Sequence, residues 1–209
     1  METKIFMLYG AHDIKERYGL NNFKNCIKQF KTIIKNNGLK YNEIISIIEN
    51  SIIDSADIGV DPKKSTEEYV KKKTELEKIG LDKFLKKKES LFSIIKDKFK
   101  KGEGHDDFSF QLMKFLKKKK VTIVFEENNL EVVNKEVEYR NKSMEEALVR
   151  IFKSCHEVDN LRDKLMVNQI DKLRTRYPTK NFIIVRGAFH NKLSNYLKNS
   201  GFNVFDYKY

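Results

Sequence analysis

Two histidines and a glutamate each stand just after a stretch that has the composition of a buried β-strand. His12 and His190 both come shortly after a Gly-Ala pair, and Glu126 directly follows a run of β-branched and aromatic residues. Parallel sheets place their binding and catalytic sites at the carboxyl ends of their strands. We therefore expect the three side chains to converge at the carboxyl edge of one sheet, within reach of a shared ligand.

This set of side chains suits two kinds of chemistry. Two neutral imidazoles and a carboxylate can bind a divalent metal such as manganese, cobalt or zinc, with coordination positions left open for water and substrate. The same groups can act without a metal, with one imidazole as a base that the carboxylate orients. Each residue also has a structural interpretation, since a histidine after a strand often caps a helix and a glutamate there is often solvated.

Three further polar side chains could contribute to such a site. Glu127 follows the glutamate, Arg186 precedes the last glycine motif, and His105 lies in the most loop-like segment of the chain. Arg186 could bind substrate or pair with an acid at the sheet edge. His105 could reach the site, or its loop could merely separate two helices while Asp106 or Asp107 caps the second.

The pattern of apolar residues predicts an α/β fold built on a mostly parallel central sheet with flanking helices. Short runs that are apolar on both faces indicate buried parallel strands. Strands that alternate with helices require right-handed crossovers and layers of helices against the sheet. The predicted strands cover residues 4–9, 121–125, 182–185 and 202–207, and the helices that flank them cover 22–37, 143–176 and 190–200.

Residues 41–119 are predicted to form a helical insertion in a single domain that spans residues 1–209. Helices are predicted at 41–55, where isoleucines recur, after the capping-box sequence at 65–68, at 82–101 and after 107. These are too many for one crossover, so we expect an inserted helical cap over the mouth of the site.

Two later stretches are less regular. Residues 130–140 alternate weakly between apolar and polar types, which fits an edge strand or an irregular arm. The helix that begins after residue 143 could break near Asp159. Both stretches lie between Glu126 and the strand that leads to His190, so they must carry the chain from one strand to the other.

The chain carries a formal net charge of +12, which raises the question of nucleic-acid binding. The excess is almost entirely lysine, and the runs at 71–73, 86–88 and 117–120 resemble solvated helix faces. Proteins that read nucleic-acid sequence favour arginine and interleaved aromatic side chains. Nucleic-acid binding through the lysine-rich helices is therefore the less favoured interpretation, but it stays open.

The cysteines and the hydropathy predict a protein of a reducing compartment. Cys26 and Cys155 each fall on the apolar stripe of a predicted helix, which favours two buried thiols over a disulfide. No apolar run approaches the length of a membrane span, and the first residues enter a strand directly, unlike a signal peptide. We therefore expect a cytoplasmic protein without a membrane span.

Roughly the last fifty residues of the chain resemble the end of the TraB/PrgY–Tiki family. The shared pattern is an Arg-Asp pair on a helix, an apolar strand, a Gly-x-x-His motif and a closing Leu-x-x-x-Gly-Phe-x-Val. Two shorter stretches, ending in His12 and Glu126, resemble that family's opening strand and its strand that ends in glutamate. Here the first motif is one residue shorter, and the long spacing to Glu126 implies an inserted segment or another glutamate, such as Glu49. The resemblance at the end of the chain rests on Arg162, Asp163, residues 182–185, Gly187, His190, Leu197, Gly201, Phe202 and Val204.

This resemblance implies a hydrolase-like enzyme that acts on a small-molecule or peptide substrate. The wider superfamily includes Tiki metalloproteases, ChaN-like haem-binding proteins and erythromycin esterase-like hydrolases. By the same resemblance, His12, Glu126 and His190 map onto the site, and Arg162 would face an anionic group or a developing oxyanion. Arg162 could equally form a salt bridge with Glu126 or Asp163. The alternative function is a non-catalytic binding protein for haem, a peptide or another anion on the same scaffold.

Overall fold

The structure, a computed structural model, describes residues 2–10, 20–48, 64–78, 105–127, 130–141, 144–187 and 191–209. The first half of the chain contains β1 (Lys4–Gly10), α1 (Leu20–Asn36), a 3-10 turn (Tyr41–Glu43), β2 (Ile44–Ile48), α2 (Thr66–Lys78) and α3 (His105–Lys118). The second half contains β3 (Thr122–Phe125), α4 (Leu130–Asn141), α5 (Met144–Arg176), β4 (Asn181–Gly187), α6 (Asn191–Asn199) and β5 (Asn203–Lys208).

The described strands form one parallel sheet in the order β3-β2-β4-β1-β5. Helices cover both faces of the sheet, which confirms the predicted α/β fold with a parallel central sheet. The central strands are buried on both faces, and this explains why they read as continuous apolar runs in the sequence.

Right-handed crossovers decide which helices lie on which face. The chain moves from β1 to β2 and β3 in one direction across the sheet, and from β3 to β4 and β5 in the opposite direction. Helices α1 and α3 therefore pack on one face, in a core that includes Phe6, Leu8 and Ile183. Helices α5 and α6 pack on the other face, in a core that includes Met7 and Ile184.

The carboxyl ends of β1 and β4 lie next to each other at one edge of the sheet. The chain leaves β1 toward β2 and leaves β4 toward β5, in opposite directions across the sheet. In open α/β sheets, ligands bind outside the carboxyl ends of the strands. Gly10 and Gly187, the last residues of the two strands, pair directly in the register.

The prediction of a helix over residues 41–55 is wrong for its first half. Ile44–Ile48 is a strand between β3 and β4, and all five of its residues are buried. A short apolar run of isoleucines fits either a buried helix or a buried strand, because periodicity alone does not separate the two. The tertiary structure decides in favour of a strand. The position between β3 and β4 is covered on both faces, and β-branched side chains pack well in such a strand.

Of the rest of the predicted insertion, the structure describes residues 64–78 and 105–119. Helix α3 buries Leu112, Met113 and Leu116 in the same layer as α1, so it is a crossover helix rather than a cap over the site. Helix α2 contacts α4. Of the predicted stretch 41–119, the parts at 49–63 and 79–104 lie outside the described residues.

Three local predictions are also corrected. Residues 130–140 belong to helix α4, which buries the adjacent residues Val132 and Val133. A helix can bury two adjacent residues on one side, whereas an edge strand points them to opposite faces. Helix α5 continues through Asp159 without a break. Helix α3 begins at His105, so Asp106 lies inside its first turn and is not the residue that caps it.

Several predictions are confirmed. Helices α1 and α6 end before glycines with left-handed backbones, Gly38 at φ 61° and Gly201 at φ 80°. In each case the next residue donates a backbone hydrogen bond to a carbonyl five residues back, at 3.0 Å. Cys26 is a buried free thiol, and burial raises its pKa above the ordinary range. None of the described helices is long and apolar enough to cross a membrane.

Candidate functional site

Glu126 lies at the carboxyl end of β3 and is 1% exposed. Its backbone N–H donates to the carbonyl of Ile48 at 3.2 Å, which continues the pairing of β3 with β2 by one residue. The side chain is therefore held at the carboxyl edge of the sheet, on the predicted side. A carboxylate that leaves water this completely needs charged partners of the opposite sign.

Arg162 on α5 supplies the first partner. Its Nε donates to Oε1 of Glu126 at 3.0 Å, and its Nη2 donates to Oε2 at 2.9 Å. This two-point contact fixes the orientation of both groups as well as their distance. The Arg162 side chain is 16% exposed and also lies 4.0 Å from Asp159, one turn earlier on the helix.

Arg186 on β4 supplies the second partner. Side chains alternate between the faces of a strand, so Arg186 shares the face of Phe182 and Ile184 and points toward α5. Its Nη2 donates to Oε1 of Glu126, and its Nη1 donates to Oδ1 of Asp163. Arg186 is only 2% exposed, so its role in the structure is to pair with acids.

We call Glu126, Asp163, Arg162 and Arg186 the charge network. It contains two cations and two anions, so their formal charges cancel. It joins the carboxyl ends of β3 and β4 to the middle of α5. A buried network of this kind stabilises the fold weakly, if at all, compared with apolar packing, but it fixes one geometry.

Gln169 extends the connection between β3 and α5. Its Nε2 donates to the carbonyl of Phe125 at 2.7 Å, and its Oε1 accepts from the backbone N–H of Glu127 at 3.3 Å. The Glu127 side chain is exposed and lies 3.7 Å from Lys172. Glu127 therefore takes no part in the buried network.

A second polar group lies on the same face, toward β5. Asp206 accepts hydrogen bonds from Ser194 at 2.9 Å and from Lys198 at 2.8 Å. Tyr9 of β1 is the register partner of Arg186 and is 7% exposed. Its hydroxyl is buried close to Ser194 and Asp206. Burial raises the pKa of Tyr9 above its ordinary range, and the carboxylates of Asp206 and Asp163 add to the rise.

The arrangement is poorly suited to make Glu126 a metal ligand. Both of its oxygens already accept hydrogen bonds from guanidinium groups. A divalent ion at this carboxylate would lie beside two arginines, which would repel it. Within the ranges that the structure describes, no cluster of three or more His, Cys, Asp or Glu side chains could hold a metal.

The structure brings together Glu126, Arg162 and Arg186, three of the residues singled out in the sequence. His12 and His190 lie outside the described residues, two and three positions beyond the paired strand ends. The backbone of His105 begins α3, and its side chain is not among those described.

Sequence reasoning did not assign a site role to Asp163, Gln169 or Tyr9. For the first two a signal existed, because both interrupt the buried stripe of α5 that contains Met166 and Ile170. A polar residue on an apolar stripe needs a buried partner. Tyr9 gave no signal, since a tyrosine in an apolar strand reads as part of the core.

The chain was also compared with protein-family models, curated protein sequences and solved structures, and none of them matches it.

Proposed function

We propose that this protein is a hydrolase that works at the neighbouring carboxyl ends of β1 and β4. The observation that carries the proposal is the direct pairing of Gly10 with Gly187, because it aligns the ends of the two strands that lead to the histidines. The resemblance of the sequence to the TraB/Tiki and erythromycin esterase-like superfamily supports the same conclusion.

Covalent geometry supports a shared role for the two histidines. Consecutive Cα atoms are about 3.8 Å apart, so the Cα of His12 is within about 8 Å of Gly10 and that of His190 within about 11 Å of Gly187. The proposal requires both imidazoles to reach one substrate outside the carboxyl ends of these strands.

In the proposed reaction, one imidazole takes a proton from water as the water oxygen attacks an ester or amide carbonyl. The protonated imidazole then returns that proton to the leaving group as the carbon–heteroatom bond breaks. The second imidazole orients the water or the substrate. Because the charge network already engages Glu126 and Arg186, we assign these two residues a positioning role.

Two polar groups near the carboxyl ends of the strands support a carbonyl or anionic substrate. Arg162 is the partly exposed cation of the charge network. The buried hydroxyl of Tyr9 is neutral at physiological pH, so it can donate a hydrogen bond to a substrate oxygen or a water.

The test is a screen of ester, amide and peptide substrates with the wild type and single histidine variants. His12→Ala and His190→Ala should each lower kcat/KM by about 10²–10⁴-fold, and the wild-type rate should fall as imidazole is protonated below about pH 6.5. His156→Ala makes the same change at a histidine on α5 and should keep wild-type activity. Hydrolysis that both site variants retain in full would sink the proposal.

Metal involvement is decided by a separate measurement. Calorimetric titration with manganese, cobalt and zinc, together with elemental analysis, should show equal and weak uptake by the wild type and His190→Ala. Tight binding of one ion by the wild type that His190→Ala loses would instead make the reaction metal-dependent, with Glu126 exchanging its arginine partners for the ion.

A further inference from the structure

A groove of about 460 Å³ runs along the outer side of α1. We call it the basic groove, and it is lined by Phe23, Lys24, Ile27, Lys28, Lys31, Thr32, Lys35 and Phe115. All of these residues except Phe115 come from α1. They form adjacent pairs that recur about every four residues along the helix, and Lys35 follows the last pair. It lies on the α1 and α3 face of the sheet, whereas the charge network lies on the face covered by α5.

The four lysines of the groove form a continuous row of positive charge. They are exposed and follow each other at spacings of four, three and four residues, which is about 4.5–6 Å of helix rise per step. Helix α1 contains no acidic residue, and none of the four makes a salt bridge with a described side chain. The neighbouring end of α3 adds five lysines between residues 111 and 120, again without an acid.

Aromatic rings accompany this row of charge. Phe23 and Phe115 are partly buried, and they line the groove together with Ile27. The ammonium group of Lys31 lies 6.0 Å from the centre of the Phe115 ring. Beside the groove, Lys119 lies 5.3 Å from the centre of the Tyr41 ring. Partly buried rings among lysines can stack against flat groups while the ammonium groups neutralise anions.

We propose that the basic groove binds single-stranded nucleic acid. Lysines along one helix face can follow successive phosphates, and the exposed parts of the phenylalanine rings can stack with bases that are not paired. The row from Lys24 to Lys35 extends over about 17 Å of helix, enough for a few nucleotides. A duplex would present its phosphates to the lysines but keep its bases away from the rings.

The proposal is tested by fluorescence anisotropy with a labelled oligo(dT) or oligo(U) strand, over a series of salt concentrations. The groove variant replaces Lys24, Lys28, Lys31 and Lys35 with glutamine. The control variant makes the same charge change on other exposed surfaces, at Lys71, Lys164, Lys192 and Lys208. Because all eight side chains are exposed, both variants should unfold at a temperature close to that of the wild type.

Each phosphate contact contributes about 0.7 to the slope of log K against log salt for a single strand. The groove variant should therefore lower that slope by about 3 and the affinity at least tenfold at 0.1 M salt, while the control changes neither by much. Phe23→Leu should lower the affinity severalfold and leave the salt slope unchanged, because it removes a stacking ring and no charge.

Three results would overturn the proposal. Equal losses in the groove and control variants would show that only net charge matters. Binding of duplex DNA as tight as that of the single strand, and unaffected by Phe23→Leu, would exclude stacking. Binding to vesicles containing phosphatidylserine, but not to the single strand, with loss only in the groove variant, would assign the groove to a lipid surface. Since the hydrolase assay uses other residues, neither proposal depends on the other.

Discussion

The most informative single side chain is Arg186. It is fully buried between two carboxylates from different elements, Glu126 after β3 and Asp163 on α5. Removing a charged pair from water has a large unfavourable free energy that the mutual attraction only partly offsets. Such a pair is therefore best explained by the geometry that it fixes, which here is the position of the ends of β3 and β4 relative to α5.

Replacing Arg186 with methionine should lower the free energy of unfolding by about 3–5 kcal/mol, because it leaves two carboxylates buried without their shared cation. Urea unfolding at pH 7 measures the loss. Adding Glu126→Gln and Asp163→Asn should recover part of the lost stability. Arg174→Met is the matched control, since Arg174 and its partner Asp171 are both largely exposed, and it should lose at most about 1 kcal/mol.

Tyr9 makes a prediction about alkaline pH. Its pKa is raised in the folded protein above the ordinary value of 10.0, so the folded state keeps a proton that the unfolded state releases. The stability that this proton contributes is complete below pH 10 and is lost as pH rises further. Between pH 8 and pH 11, the free energy of unfolding of the wild type should fall by about 1 kcal/mol more than that of Tyr9→Phe. Tyr196→Phe, at a partly exposed tyrosine, should follow the wild-type curve in urea titrations.

At the scale of elements, β2 determines the order of the sheet. It pairs with both β3 and β4. It therefore separates the two strands whose ends carry Glu126 and Arg186 of the charge network. All five of its residues are buried, including Ser46, whose hydroxyl has no hydrogen-bond partner among the described residues. A buried hydroxyl without a partner destabilises the folded state relative to a small apolar side chain.

Ser46→Ala should therefore stabilise the protein by about 1 kcal/mol. The same substitution at Ser194 should destabilise it by about 1 kcal/mol, because the Ser194 hydroxyl donates to Asp206 at 2.9 Å. Urea unfolding measures the change in the free energy of unfolding for both variants. Changes of opposite sign would support the placement of residues 44–48 in the sheet interior. If Ser46→Ala is destabilising to the same extent as Ser194→Ala, that placement is wrong.

At the scale of the whole molecule, the sheet separates two chemical environments. The face under α5 contains a compact network of balanced charges at its carboxyl edge. The face under α1 and α3 has an apolar core below and a row of lysines outside. Positive charge is therefore locally concentrated in the row of lysines on α1. The mutual repulsion of these lysines should weaken as the salt concentration rises.

Lys28 lies between Lys24 and Lys31 on α1, where like charges three and four residues apart each destabilise a helix by about 0.2–0.5 kcal/mol. Raising NaCl from about 10 mM to 150 mM should therefore raise the Tm of the wild type by about 2–4 °C. Lys28→Gln should reduce this rise. Lys72→Gln is the opposite control, because Lys72 lies 3.0 Å from Glu68 in an attractive pair, and losing that pair should enlarge the rise.

The sequence by itself determined the features that depend on local pattern. The strands that end at Gly10 and Gly187, helix α1 with its stop at Gly38, and the α/β class follow from apolar runs, helical spacing and glycine positions. It also singled out Glu126 and Arg186, because each stands next to a predicted buried strand. Arg162 was singled out only through the family resemblance of the end of the chain.

Only the tertiary structure decided what those charges do. The sequence left Arg162 and Arg186 open between substrate binding and ion pairing, because a guanidinium group serves either purpose and its burial depends on elements distant in the chain. The run at Ile44–Ile48 is a strand because it lies between β3 and β4 and is buried on both faces. No local sequence pattern reveals that position. The basic groove likewise exists only because α3 brings Phe115 against the lysine face of α1, about eighty residues away in sequence.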